Sequence, residues 1–451
     1  MTKTPSFESV FTKQQRIAEL AKQNPTMAFT SLNHYLDVAW LHEAFHRTRK
    51  DGAPGVDGQT WAEYGEKLEE NLRSLLDRVK SGTYRAPPVR RVHIPKGTGK
   101  ETRPIGIPTL EDKVLQRAVA MILEAIYEQD FHDCSYGFRP GRSAHQALES
   151  LWQQTMSLGG GWILDVDIRK FFDTLDHGHL RAFLRQRVRD GVLLRLIGKW
   201  LKAGVMEHGS VSYPDSGSPQ GGVISPILAN AFLHYVLDRW FAEEVVPRVR
   251  GRAFLIRYAD DAVMGFAHEA DARRVLAVLP KRFGKYGLTL HPDKTKLVAF
   301  RRPPHDSRPR GGAHGDRPGT FDLLGFTHFW ARSRKGNWVV KRKTAKGRFT
   351  RAVRTIAQWC RNHRHRPIAE QHAVLSQKLR GHYAYYGITG NSVALNRFRD
   401  QVQHVWYKWL ARRNSKHRRS WSWFHRLRQR YRLPYGIPIH SVCRRGREVT
   451  T

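Results

Sequence analysis

The stretch AFLIRYADDAVMGF, Ala253–Phe266, places two acidic residues between two apolar runs. Apolar runs around a short polar step predict a β-hairpin, with Asp260 and Asp261 near its tip. A pair of aspartates in such a place is, by itself, usually a solvated turn. Adjacent carboxylates repel each other, however, and a bound divalent cation would remove that repulsion. The hairpin is therefore a candidate metal site.

A second apolar stretch, WILDVDI, also carries carboxylates. As a strand it has Leu164, Val166 and Ile168 on one face and Asp165 and Asp167 on the other. Mg²⁺ prefers oxygen ligands and is commonly held by one or two carboxylates plus substrate phosphates. Two such ions about 3.5–4 Å apart can clamp an in-line displacement at phosphorus. The two stretches together point to phosphoryl or nucleotidyl transfer.

The composition is strongly basic, with 77 Lys and Arg against 40 Asp and Glu and a formal net charge of +37. A charge excess of this size requires a polyanionic partner, because like charges otherwise repel within the folded chain. Nucleic acid is the first candidate and an anionic membrane surface the second. No stretch approaches the ~20 apolar residues that span a bilayer, which weakens the membrane alternative.

The cysteines Cys134, Cys360 and Cys443 are odd in number and far apart. They form neither a disulfide framework nor a CxxC zinc pair, which fits a reducing cytosol. The N-terminal residues contain no apolar core of a signal peptide. We therefore expect a cytoplasmic protein.

The first third of the chain predicts a mixture of helices and short strands. Residues 1–45 are interpreted as a polar extension with helical patches, Lys50–Gly58 as a loop and Trp61–Lys80 as helical. Two short strands joined by the turn Lys96–Lys100 are expected next. A helix is expected from Glu111 onward.

The last third is basic. Arg301–Thr320 is expected to be a flexible surface loop and FDLLGFTHFW one strand. From Lys341 a helical pattern begins, with an apolar stripe at Phe349, Val353, Ile356 and Cys360. No Asp or Glu occurs between residues 401 and 447, where Trp406, Trp409, Trp421 and Trp423 alternate with Arg and Lys. Each Trp could stack on unpaired bases or belong to a core.

The motifs together resemble a known family. Tyr258-Ala259-Asp260-Asp261 is similar to the YADD box of the reverse transcriptases encoded within group II introns. Seven further blocks occur in that family's order: GAPGVDG (52–58), IPKGTGKETRPIGIP (94–108), SYGFRPGRSAHQAL (135–148), DVDIRKFFDTLDH (165–177), SPQGGVISPILANAFLHYVLD (218–238), GLTLHPDKTK (287–296) and LLGF, which ends at Phe326. LRGHYAYYG (379–387) resembles the thumb, or maturase, region more weakly.

This resemblance implies the catalytic residues. Asp167 and Asp260 would bind two Mg²⁺ ions, with Mn²⁺ as a possible substitute, and Asp261 would support the site. Ile168 is included in the metal set beside Asp167. One ion would activate the primer 3′-hydroxyl and the other would hold the triphosphate.

The resemblance also implies contacts to the incoming dNTP. Lys96 and Arg103 would bind its phosphates from a hairpin of the fingers, although ordinary surface cations are the alternative. Phe172 would exclude the ribose 2′-hydroxyl, whereas Phe171 fits a core position. Gln220 and Lys294 complete this set.

Contacts to the template–primer are implied for Gly221 and Gly222, where backbone could approach the duplex. Tyr258 is placed in the same set. Arg139 and Arg142 would contact the template backbone or, equally well, pin a loop by salt bridges.

The implied fold is α+β: a right-hand polymerase with fingers, an antiparallel palm sheet and an α-helical thumb. We expect an N-terminal extension over 1–45, fingers and palm over 46–335, the thumb or maturase domain over 336–432 and a tail over 433–451. Cysteine pairs and nuclease-like acidic or His clusters do not follow the thumb pattern. The chain therefore resembles the compact type without an endonuclease.

The expected partners are an RNA template, a DNA primer, dNTPs and a group II intron RNA, in a ribonucleoprotein associated with the nucleoid. The sequence leaves the oligomeric state open. Two other functions also stay open. One is a splicing cofactor with an idle polymerase site, which retention of all three aspartates disfavours. The other is a free-standing reverse transcriptase used in defence or repair.

Overall fold

The computed structural model describes residues 7–95, 102–207, 210–213, 217, 221–304, 318–413 and 420–440, with residues 7–9 described by their backbone alone. The predicted turn Lys96–Lys100, most of the Arg301–Thr320 loop, Cys443 and most of the predicted tail lie outside these residues. Two compact units form, the first from Met1–Ala147 and Leu164–Leu297, the second from Leu148–Ile163 and Val298–Thr451.

The helices in the described residues are α1 (Phe7–Gln23), α2 (Val38–His46), α3 (Trp61–Glu66), α4 (Leu68–Lys80), α5 (Leu110–Tyr127), α6 (Ala144–Leu158), α7 (Phe171–Thr174), α8 (His177–Leu184), α9 (Gly191–Leu201), α10 (Ser225–Leu233), α11 (Glu269–Gly284), α12 (Lys346–Asn362), α13 (Ile368–Tyr386), α14 (Ser392–Leu410) and α15 (Trp421–Arg430). Short 3₁₀ segments lie at Asn33–Tyr35 and Val246–Arg248, and short π segments lie at His234–Asp238 and Phe241–Val245. None of the described helices is both long and apolar enough to cross a membrane.

The strands are β1 (Val89–Pro95), β2 (Thr102–Ile107), β3 (Trp162–Val166), β4 (Val205–Glu207), β5 (Ser210–Ser212), β6 (Ala253–Tyr258), β7 (Asp261–Phe266), β8 (Lys296–Ala299), β9 (Phe321–Leu323), β10 (Phe326–Arg332) and β11 (Trp338–Thr344). They form three sheets, in the orders β2-β1-β4-β5, β6-β7-β3-β8 and β11-β10-β9. Most pairings with a defined register are antiparallel, and β1 and β4 run parallel. The predicted α+β class with antiparallel sheets and a helical C-terminal region is confirmed.

Helix α5 forms the centre of the first unit's helical part. The Thr109 hydroxyl accepts a hydrogen bond from the Asp112 amide and caps the helix, and its predicted apolar stripe is buried. The N-terminal residues pack on it: the Trp40 indole donates to the Ala118 carbonyl at 2.9 Å, and Gln14 donates to the Met121 carbonyl at 3.2 Å. What the sequence presented as a polar extension is therefore part of this unit's core.

Two predictions about the second unit need correction. FDLLGFTHFW is not one strand, because Leu324 and Gly325 have φ angles of +50° and +81° and turn the chain between β9 and β10. The helix expected from Lys341 begins at Lys346, since β11 pairs with β10 as far as Thr344. The apolar stripe of α12 itself is confirmed, with Ile356 and Cys360 in the core of the four-helix region.

Candidate active site

The predicted hairpin is present and has a two-residue turn. Strand β6 pairs with β7 from Ala253 opposite Phe266 to Tyr258 opposite Asp261, which leaves Ala259 and Asp260 as the turn. Ala259 has a φ of +56°, in the left-handed region that few non-glycine residues adopt. Asp260 is half-buried and Asp261 is exposed at the start of β7. The turn thus presents Asp260 from a backbone that is held in an unusual conformation.

Asp167 follows the end of β3 and is fixed by the segment before β8. The His291 amide donates to the Asp167 carbonyl at 2.8 Å, and the Asp167 amide donates to the Thr295 hydroxyl at 3.4 Å. Lys294 Nζ lies 3.5 Å from Asp167 Oδ2. Sequence reasoning assigned Lys294 to the nucleotide, and this ion pair with a catalytic candidate was not foreseen.

Strands β3 and β7 are neighbours in one sheet, and this order places Asp167 and Asp260 at one site. Burial raises the pKa of Asp260 above its ordinary value, and the negative charge of Asp167 raises it further. A backbone hydrogen bond and the cations Arg103 and Arg257 act in the opposite direction. A carboxylate whose ionisation is disfavoured by burial and by a neighbouring carboxylate is part of a donor set that a divalent cation stabilises.

Such an ion would need further ligands from outside the protein. No group of three or more His, Cys, Asp or Glu side chains is arranged to hold a metal ion within the described residues. The Ile168 side chain is buried and apolar, so this residue could contribute its backbone carbonyl and nothing else. Mg²⁺ keeps waters and takes substrate phosphates where the protein supplies few carboxylates, and this donor set fits that behaviour.

Arg257 anchors the β6–β7 hairpin through a network of buried hydrogen bonds. It is fully buried, and Nε and Nη2 bind the carboxylate of Asp238 at 2.7 and 2.6 Å. The remaining donors reach Asn230 Oδ1 at 2.9 Å, the Ala259 carbonyl at 3.0 Å and the Ser135 hydroxyl at 2.7 Å. All five guanidinium N–H directions are therefore used. Through the Ala259 carbonyl this network holds the turn that carries Asp260.

The GFRPGR loop packs directly on the same turn. A Cβ at Gly137 would lie 2.3 Å from the Ala259 nitrogen, so no larger residue fits here. Asn230 donates to the Gly137 carbonyl at 2.8 Å and ties the loop to the Arg257 network. Next to it Phe138 is 58% exposed with a φ of +57°, and its ring centroid lies 6.5 Å from that of Tyr258. Sequence reasoning missed Gly137 and Phe138, although both lie in a block that it had singled out.

The predicted nucleotide contacts are only partly described. Lys96 and Gln220 lie outside the described residues. Arg103 is exposed on β2, and its charge acts on Asp260. Phe172 is half-buried, with its ring centroid 5.2 Å from that of buried Phe171.

Of the predicted template–primer residues, Gly221 lies against the protein itself. A Cβ there would be 2.6 Å from the Gly106 carbonyl, and its φ is +118°, so glycine is needed for a close approach to β2. Gly222 is half-buried beside it. The two glycines let this segment reach the strand that carries Arg103.

The two arginines of the GFRPGR block differ in their availability. Arg139 is buried, binds Glu128 at 2.9 Å and donates to the carbonyls of His132 and Ser135. These contacts favour the loop-pinning alternative for Arg139. Arg142 binds Asp133 at 2.6 Å and is 27% exposed, so a template contact stays a prediction for it.

Residues 94–328, more than half of the chain, match the family model described as reverse transcriptase (RNA-dependent DNA polymerase). Protein YkfC of Escherichia coli K12 is 36% identical over 321 residues, which cover 63% of this chain and 83% of YkfC.

Two relatives carry intron-related names. The group II intron-encoded protein LtrA of Lactococcus lactis is 37% identical over 251 residues, covering 52% of this chain but only 41% of LtrA. Nuclear intron maturase 1 of Arabidopsis thaliana is 32% identical over 139 residues, 31% of this chain and 18% of that protein. With Asp167 after β3 and Asp260 in the β6–β7 turn brought together, these matches confirm the resemblance: the chain belongs to the reverse transcriptase (RNA-dependent DNA polymerase) family and is similar to group II intron-encoded proteins.

Proposed function

We propose that this protein is an RNA-directed DNA polymerase that extends a DNA primer along an RNA template. The observation that carries the proposal is the sheet order β6-β7-β3, which places Asp167, just after β3, beside the β6–β7 turn that carries Asp260. Because the chain belongs to the reverse transcriptase family, the reaction assigned to this pair of carboxylates is metal-dependent nucleotidyl transfer.

Asp167 and Asp260 would hold divalent ions, preferably Mg²⁺, with Asp261 beside them at the start of β7. Bound ions of this kind would supply the positive charge that activates the primer 3′-hydroxyl and stabilises the leaving pyrophosphate. Lys294, already 3.5 Å from Asp167, would neutralise this carboxylate before substrate binds and could turn to a phosphate afterwards.

The incoming dNTP would be held from the β1–β2 hairpin. Arg103 has a guanidinium that can bind a phosphate in bidentate fashion. Its positive charge also acts on Asp260. Lys96, Gln220 and Phe172 complete the proposed nucleotide site, Phe172 as the side chain that excludes a ribose 2′-hydroxyl. Tyr258 and Arg142 are the proposed template–primer contacts.

We further propose that the protein acts as a maturase on a group II intron RNA, within a cytoplasmic ribonucleoprotein. Exposed Arg348, Arg351 and Arg354 lie off the apolar stripe of α12 and suit contact with phosphates. The predicted thumb or maturase domain over 336–432 would carry this role. A splicing cofactor with an idle polymerase site is the alternative.

Primer extension on an RNA template with Mg²⁺ tests the polymerase directly. Asp260→Asn keeps the side-chain volume and removes the charge, so it should lower DNA synthesis by at least a thousandfold while RNA affinity changes less than threefold. Asp77→Asn, on the exposed face of α4, is the matched control and should retain wild-type synthesis.

Synthesis by Asp260→Asn within tenfold of wild type would contradict the assigned metal site. If the wild type fails to extend primers but still promotes splicing of an intron RNA, the splicing-cofactor alternative is correct.

A further inference from the structure

A cationic groove of about 840 Å³ lies on the first unit, bordered by α8, α9 and the segment 85–88. Exposed cations line it: Arg85, Arg181, Arg185, Arg189, Arg195 and Lys202. Its lining contains no Asp or Glu among the described residues. It also contains none of the residues assigned above to catalysis or to the nucleotide.

These cations differ from many other arginines of the same unit in having no carboxylate partner within the described part of the chain. Other arginines of the unit are paired with a carboxylate, as in Arg78–Glu111, Arg187–Asp130 and Arg257–Asp238, each within 2.8 Å. Six unmatched positive charges around one concave surface repel each other and hold a favourable potential for an anion. These six cations are therefore available to bind a ligand, because no ion pair among the described residues uses them.

Glycines let the charged groups lie close to the helix backbones. A Cβ at Gly198 would be 3.3 Å from Arg181 Nη2, and a Cβ at Gly191 would be 3.2 Å from Arg195 Nη1. The guanidinium of Arg181 thus lies against α9 at Gly198. Lys199 also borders the groove but donates to the Gly82 carbonyl at 3.2 Å, so it has a structural role.

One aromatic side chain stands at the wall of the groove. Tyr213 is 73% exposed, and its ring rests on Gly204, where an added Cβ would be 3.0 Å from the ring. An exposed ring beside cations is the arrangement on which an unpaired base stacks while its phosphates are neutralised.

We propose that this groove binds a single-stranded segment of RNA, separate from the template–primer at the carboxylates. Single strands bend into concave surfaces and expose bases for stacking, whereas a duplex is convex and rigid. RNA is preferred to DNA because the proposed function, on which this inference rests for the identity of the polyanion, requires the protein to hold RNA. The groove would hold a loop or single-stranded junction of that RNA while another part is copied or spliced.

The test compares two triple variants of the full chain. Arg185→Gln/Arg189→Gln/Arg195→Gln removes three groove charges. Arg73→Gln/Arg239→Gln/Arg273→Gln removes three exposed charges of the same unit, each from an i,i+4 pair with a glutamate. Affinity for a labelled 20-nucleotide single-stranded RNA is measured by fluorescence anisotropy without dNTPs and with EDTA. Binding is thereby read independently of polymerisation, so an inactive polymerase does not decide this result.

The groove variant should lose at least tenfold in affinity, and its log–log salt slope should fall by about 2, at roughly 0.7 per phosphate contact. The control should lose less than threefold. Arg185→Lys/Arg189→Lys/Arg195→Lys keeps the charges and should retain the wild-type slope, which separates lost contacts from misfolding.

Equal losses in the groove and control variants would overturn the proposal, because net charge alone would then explain them. A larger loss for single-stranded DNA than for RNA would assign the groove to DNA instead. A change in oligomeric state with RNA affinity intact would make the groove a protein contact.

Discussion

At the residue scale, Arg257 stabilises the conformation of the YADD turn. A guanidinium with no exposed surface costs several kcal/mol to desolvate, and its contacts offset that cost only when all are made. Here each donor has an acceptor, and one acceptor is the carbonyl of Ala259, the left-handed residue of the turn. The local sequence presents this arginine as one polar residue in an apolar strand and does not show the network.

We expect Arg257→Met to lower the free energy of unfolding by about 3–5 kcal/mol, because it leaves the Asp238 carboxylate buried without its partner. Arg257→Met/Asp238→Leu should recover more than half of the loss. Chemical denaturation measures both. Arg73→Met, which breaks an exposed pair, should change stability by less than about 1 kcal/mol. A single Arg257→Met effect as small as that of Arg73→Met would disprove the anchoring role.

At the element scale, β10 carries a buried histidine that must stay neutral. His328 is fully buried opposite Arg342 in β11, and its ring stacks on Phe321 at 4.8 Å. Neither ring nitrogen has a hydrogen-bond partner among the described residues. Burial, followed by the charge of Arg342, lowers the pKa of His328 to about 3.

Acidification should therefore destabilise the second unit. The pKa of His328 in the folded state is below its value of about 6.5 in the unfolded chain. The free energy of unfolding is therefore highest above that pH and decreases as the pH falls toward 3. The expected slope is about 1.4 kcal/mol for each pH unit between pH 6 and pH 4. Unfolding followed from pH 7 to pH 4 measures it.

His328→Phe keeps the ring stack and should flatten this pH dependence, whereas His425→Phe on the exposed face of α15 should leave it unchanged. An identical slope in the wild type and in His328→Phe would mean that another group sets the acid sensitivity.

At the scale of the whole molecule, the net charge of +37 favours binding to the polyanion RNA. Many arginines of the first unit are paired with carboxylates, and part of the excess positive charge lies on the groove beside α8 and α9 and on the exposed face of α12. Binding to RNA through such surfaces releases counterions, so it depends on salt.

Affinity for single-stranded RNA should fall by several hundredfold between 50 and 200 mM KCl if about six phosphates are neutralised at roughly 0.7 each. Anisotropy titrations at four salt concentrations give the slope. An oligomer of the same sequence with a neutral backbone is the control and should bind weakly at every concentration. A decrease of less than tenfold for RNA would contradict the electrostatic account.

The sequence by itself determined the elements whose residues carry a local signal. The apolar runs around Asp260 and Asp261 predicted the hairpin, because two apolar runs separated by a short polar step are a signal within one stretch of sequence. The stripes of α5 and α12 were equally visible. Ordered motifs predicted the family, and they named the carboxylates before any geometry was known.

Only the tertiary structure decided which distant residues meet. Lys294 pairs with Asp167 across more than a hundred residues of chain, and Gly137 lies against Ala259. Arg139 is committed to Glu128, and the N-terminal helices pack on α5. The groove beside α9 likewise comes from three separate stretches. Such contacts depend on how elements pack, and packing is set by the shape of surfaces that no single stretch of sequence contains.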